Sequence, residues 1–227
     1  MKIGKVLNRS WQIISAHPGA VLGYGFIPLL IASVSFGLLL GPMYTGYCGL
    51  IFKLERGEKA GFKELFGYFR LQHWFGGILY QLAIWAAIFA FALVLEMGIV
   101  DPRENTELSG RLSEILILST AALIVDLIVI IWLMARWFLL FPVLVSHQGG
   151  TRAAFGIAVE TLRQNGGFWP ALGLVLIAGA ITMVLSMLMS AIGLSFISFI
   201  AFIPFLVFMA AAYLETLETS ERVNPKL

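Results

Sequence analysis

The 227-residue chain is poor in charge. Asp, Glu, Lys and Arg together make up 12% of it, where a soluble domain carries about a quarter. A soluble core of this size has no means of hiding the 59% of residues that are hydrophobic, so a second apolar solvent is required. Cysteine is nearly missing. The lone Cys48 excludes an intrachain disulfide framework and a cysteine-rich metal site, and its apolar neighbours make it a small packing residue. No Ser/His/Asp set, metal-ligand motif or pair of carboxylates in one polar pocket can be assembled from the spacings. A glycine-rich phosphate loop would need a strand and a following helix, which the pattern does not offer. His17, His73 and His147 map near one interface but come from three separate elements with no i, i+4 spacing. We therefore expect no enzymatic activity, no cofactor, no metal and no nucleic-acid partner. Low-complexity sequence is confined to a brief acidic tail, Glu215, Glu218 and Glu221.

What remains is apolar length. Continuous rather than alternating runs favour helices, which satisfy their own backbone hydrogen bonds inside a bilayer. About 20 apolar residues cross one, and runs of that kind lie near 19–36, 38–54, 75–97, 113–145, 168–191 and 195–214. Lys2 and Lys5 resemble the start of a signal peptide, but the apolar run after them comes late and is too long. Residues 19–54 hold Gly37, Gly41 and Pro42 and are compatible with one kinked helix or a tight hairpin. Charge separates the two. With a hairpin, twelve Lys and Arg share one side and two, Arg103 and Arg111, the other; with one helix the split is nine against five. Cytoplasmic flanks are enriched in Lys and Arg. The expectation is an all-α bundle of six spans forming a single membrane domain, with both termini in the cytoplasm. The loop near 98–112, carrying Asp101, Glu104 and Glu107, is then exterior.

Three amphipathic stretches precede spans one, three and five. Ile3, Val6, Leu7, Trp11 and Ile14 share a face over 3–15; Phe62, Leu65, Phe66 and Phe69 do so over 61–70; Phe155, Ala158, Val159 and Leu162 do so over 151–165. All three are expected to lie in the cytoplasmic headgroup layer. The chain then reads as three units, about 1–54, 60–145 and 151–214, each a surface helix followed by a hairpin, with a short cytoplasmic tail, 215–227. Pro18 with Leu22-Gly23, and Pro170 with Leu172-Gly173, give units one and three a weak likeness in residues as well.

Gly41-Pro42, Gly46, Arg56-Gly57-Glu58 and Leu65-Phe66-Gly67-Tyr68-Phe69 resemble a pattern of uncharacterised prokaryotic membrane proteins. They are similar to the membrane-domain superfamily that includes the membrane part of some glycerophosphodiester phosphodiesterases. Arg136 to Pro142, Arg152 to Asn165, Pro204 and Tyr213 extend the likeness over most of the chain. The resemblance implies a six-helix domain of the prokaryotic inner membrane, without the soluble catalytic domain and with no catalytic residue to transfer.

An ionisable residue inside a span costs about 2.5–3.5 kcal/mol on insertion scales and is a functional candidate by default. Asp126 lies near the middle of span four. Arg136 is ten residues on, about 15 Å along a helix and about 80° around it, so the two do not pair directly. Arg136 is expected to reach the headgroups or meet Gln81, and Asp126 to bond a hydroxyl such as Thr182 or line a polar path. Gly41, Pro42 and Pro204 are candidate hinges, the prolines as kinks in spans two and six. Two functions compete. A non-enzymatic scaffold or accessory protein would use the surface helices and the basic cytoplasmic face. A small-solute or ion transporter would use Asp126 and Arg136. Expected partners are the bilayer, anionic lipid at the basic face, and a membrane protein or second copy of this chain.

Overall fold

The computed structural model describes residues 1–35, 37–71, 73–83, 85–86, 108–147, 151–191 and 201–223. The loop expected near 98–112, the far half of the span at 75–97 and the start of that at 195–214 fall wholly or partly outside these residues. Among the described residues the regular elements are helices: α1 (Ile3–Ala16), α2 (Pro18–Val34), α3 (Leu40–Glu55), α4 (Phe62–Leu65), α6 (Leu108–Arg136), α7 (Leu140–Ser146), α8 (Thr151–Gln164), α9 (Phe168–Ala191) and α10 (Ile203–Val223), with α5 over residues 73–83. Two stretches among them are long and apolar enough to cross a membrane. They are Leu123–Ser146 and Phe168–Ala191, each of 24 residues with a mean hydropathy of 2.4. A third arises only if α1 and α2 are joined, and these meet at 101°.

That corner follows from Pro18. As the first residue of α2 it has no N–H to donate to α1, and its ring drives His17 out of the helical region, to φ −134 and ψ 52. Beyond it, α2 and α3 form a hairpin rather than one kinked helix. Gly37 turns the chain with a φ of 82°, a conformation L-residues avoid. The Tyr47 hydroxyl then donates to the Val21 carbonyl across the pair at 2.9 Å.

The prolines also start helices. Pro42 and Pro142 each stand third in their helix, and Pro204 stands second. A proline has no N–H for the carbonyl four residues back, and its ring crowds that carbonyl. The chain turns at 37–39 and at 137–139, just where that lost bond would fall. Pro42 is thus a helix starter, not a mid-span kink; Pro204 stands in the first turn of α10, and residues 192–200 before it lie outside the described ones; among the described helices it is Pro28 that stands in an interior. For the same reason the span expected at 113–145 is two helices, α6 and α7, and α6 begins inside the expected loop, at Leu108.

The second helices of the expected hairpins make the core. From Leu40 to Phe52 every residue of α3 is buried, as are Leu140 to Leu144 of α7 and Phe205 to Thr216 of α10. These three pack on one another, while α2 and α9 lie outside them. The polar ends of the trio gather on one face with the amphipathic helices. Arg9 of α1 bridges Glu55 at 2.8 Å and Glu218 at 2.7 Å, and Lys5 meets Glu215 at 3.3 Å. The terminal ammonium of Met1 donates to the Asn165 carbonyl just after α8. Segments that the sequence assigns to a common side are therefore together in space.

Candidate functional site

The second surface helix, expected over 61–70, is only the four residues of α4. The Glu64 carboxylate accepts the Gly61 N–H at 2.9 Å and the Lys53 ammonium at 3.1 Å. These bonds, the Gly61 amide first, hold its carboxyl below the usual range. Residues 66–68 are turn rather than helix, because the segment descends along α3 instead of lying flat. Three glycines of α3 form its bed. A Cβ at Gly46 would overlap the Leu65 carbonyl, one at Gly49 would stand 2.7 Å from the Tyr68 ring, and one at Gly41 would overlap the His73 carbonyl and lie 2.7 Å from the Gly77 nitrogen. The sequence offers Gly41 as a candidate hinge; here it is instead a point of close backbone approach. The signal was present in the joint occurrence of Gly41, Gly46 and Leu65-Phe66-Gly67-Tyr68-Phe69.

Between this strap, the end of α3 and α7 is a cavity of about 510 Å³. Its polar wall carries Lys53, Lys63, Tyr68, Arg70, His73 and His147; Leu144 and Val145 supply the apolar wall. Burial, and then the Arg70 charge, push His73 down to about 4 from 6.5, so at neutral pH it is an uncharged imidazole. Burial raises the Tyr68 phenol above its usual value, against the opposing pull of Lys53, Arg56 and Arg70. The phenol is therefore a neutral donor surrounded by cations. His73 and His147 share this wall, while His17 sits at the α1–α2 corner; among the described residues no three His, Cys, Asp or Glu side chains form a metal-binding group.

The three residues singled out within the expected spans are not brought together. Gln81 lies against Gly37 and lines a second cavity, of about 570 Å³, with Ser33, Trp85, Thr182 and Ser186. Asp126 is half-buried on α6 between exposed Val125 and Leu127, and it lines neither cavity. The hydroxyl expected to receive it is engaged elsewhere: Thr182 donates to the Ala201 carbonyl at 2.9 Å. Arg136 is exposed at the end of α6, its guanidinium 5.2 Å from the centroid of the Trp132 ring. That position matches a cation at a helix C-terminus stacked on an aromatic face, not a contact with Gln81. The basic cavity, which combines charge, neutral donors and an apolar wall, is the best-formed candidate site. A scan against protein-family models finds no match to this chain, and searches of curated proteins and of solved structures find none either.

Proposed function

We propose that the protein is a six-span inner-membrane protein with both termini in the cytoplasm, acting as a non-enzymatic scaffold or accessory protein rather than as a transporter. The observation that carries this reading is the way the surface helices are fastened. Arg9 joins α1 to the ends of both α3 and α10, so an amphipathic helix is held at a fixed place against the core. A helix that only needed to rest on lipid would require no such bridge. The gathering of α1, α4, α8 and the basic flanks on one face supports a cytoplasmic assignment for that face. The likeness to the glycerophosphodiester phosphodiesterase membrane domain is part of the same proposal.

Thiol labelling of single cysteines at residues 2 and 222, in a Cys48→Ser background, should protect both in right-side-out membranes. Labelling at either would overturn the topology. Deleting residues 1–15 should abolish recovery of a membrane partner or self-association while leaving the rest of the chain in the membrane. Unchanged assembly would remove the scaffold reading.

The transport reading draws on the cavity beside Gln81 and Thr182, which has polar groups among apolar walls. It requires water to reach Asp126. Cysteine accessibility along residues 120–136 decides this: a reactive stripe through position 126 favours transport, and uniform protection favours the scaffold.

A further inference from the structure

The strap over residues 61–75 has two unlike sides. One is a run of rings: Phe62 on Phe66 at 4.9 Å between centroids, Phe66 on Phe69 at 5.7 Å, and Phe69 on Trp74 at 6.0 Å. Phe62, Phe66, Phe69, Leu71 and Phe75 are exposed on it. Bulky apolar groups left open in this way fit the boundary between headgroups and acyl chains, where aromatic rings are enriched. The other side of the same strap closes the basic cavity with Lys63, Tyr68, Arg70 and His73. Aromatic anchoring of one side holds the other at headgroup depth. Leu144 and Val145 line the same cavity and offer an apolar wall to the glycerol and first methylenes of a lipid.

Charge decides what the cavity takes. Lys53 is paired with Glu64, the one carboxylate of the lining, at 3.1 Å, which leaves Lys63 and Arg70 as the cations in excess. The C-terminal ends of α3 and α7 add only about half a negative charge each, so the interior favours an anion. Its volume lies in the range of ligand pockets, about 300–1,000 Å³. We infer that this cavity binds the phosphate of an anionic phospholipid headgroup, held by Lys63, Arg70 and the Tyr68 hydroxyl with Lys53 behind them. The inference rests on the proposed cytoplasmic placement of this face. It makes one lipid molecule a bound ligand, distinct from the diffuse attraction of a basic surface.

The test uses the full chain in phosphatidylcholine nanodiscs, titrated with short-chain phosphatidylglycerol and read by native mass spectrometry. The expected result is saturable binding of one lipid. Lys63→Gln/Arg70→Gln, at two exposed positions, should weaken it at least about tenfold. Lys2→Gln/Arg152→Gln removes the same charge outside the cavity and should change it by less than about twofold. Equal weakening by both variants would mean a diffuse surface effect and overturn the site. Absence of saturation would overturn it as well. Inorganic phosphate forms the third arm: if it binds as tightly as the lipid and through the same two residues, the occupant is a soluble phosphate ester and the lipid is ruled out. A protein that enters the disc but shows no lipid preference sinks this inference alone, whereas one that never enters it removes the membrane reading beneath.

Discussion

Single residues here act mainly by what they leave out. Gly41 and Gly77 let α3 and α5 cross backbone to backbone, since a Cβ on either would collide with main-chain atoms of the other helix. Main chain cannot step aside as a flexible side chain can. Gly41→Ala should therefore lower unfolding stability in detergent by about 1–3 kcal/mol, the usual range for overpacking. Gly19→Ala has open space around it and should leave the melting temperature nearly unchanged. His73 adds a pH dependence whose sign follows from its depressed value. The unfolded imidazole takes up a proton near 6.5 and the folded one only near 4, so acid favours the unfolded chain. Stability present above pH 6.5 should be lost as pH falls toward about 4, and His73→Gln should flatten that part of a thermal-melt profile. A variant that kept the full slope would assign it to other groups.

At the scale of elements, the surface helix α1 buries Val6, Ser10 and Ile13 against the core and is tied there by ion pairs at its rim. Arg9 is only 14% exposed at its side chain and meets two carboxylates. Glu55 and Glu218 are 29% and 45% exposed, so both pairs border solvent, where such pairs contribute about 0.2–1 kcal/mol each and weaken with salt. Arg9→Ala should therefore leave the bundle folded and α1 seated on its apolar face but opening more often, seen as a modest, few-fold rise in protease cleavage near residues 8–16. Raising salt should mimic it in the wild type. Sequence periodicity found α1 and α8 to within a residue or two, because an apolar stripe against a polar face leaves a 3.6-residue signature. It placed a third such helix at 61–70 and missed the strap there. The same alternation of rings and charges suits a segment that seats a half-buried Tyr68 against α3 and turns Phe69 outward. A proline misled for a related reason. Pro42 is legible as a disruption, but whether a proline bends a helix or begins one depends on whether the chain upstream is held elsewhere, and that is a tertiary fact. Asp126 and Arg136 stand out by the cost of an ionisable group in lipid, and Gln81 by its expected depth beside Arg136. The cost selects residues one by one, and the partners proposed for them, Gln81 and Thr182, rest on estimated depth alone, which does not fix who meets whom. The cavity that does assemble draws on Lys53 and Tyr68, from neighbouring segments, and on His147, far along the chain.

Over the whole molecule the design is an inner trio, α3, α7 and α10, dressed by other helices. Each member opens with a proline in its first turn, after Leu39-Leu40-Gly41, Leu139-Leu140-Phe141 and Phe202-Ile203. This adds a second shared feature to the three-unit reading, at the places where the buried helices begin. Cys48 stands in α3 at the middle of that trio with no exposed surface, the only thiol in the protein. Its position makes it a clock. A small alkylating reagent reaches sulfur only when the bundle opens, so the labelling rate under native conditions should match the rate or population of global opening and follow denaturant as steeply as unfolding itself. Fast, denaturant-independent labelling would instead reveal a local breathing path into the core. The chain thus carries an unmodified reporter of its own lifetime in the folded state.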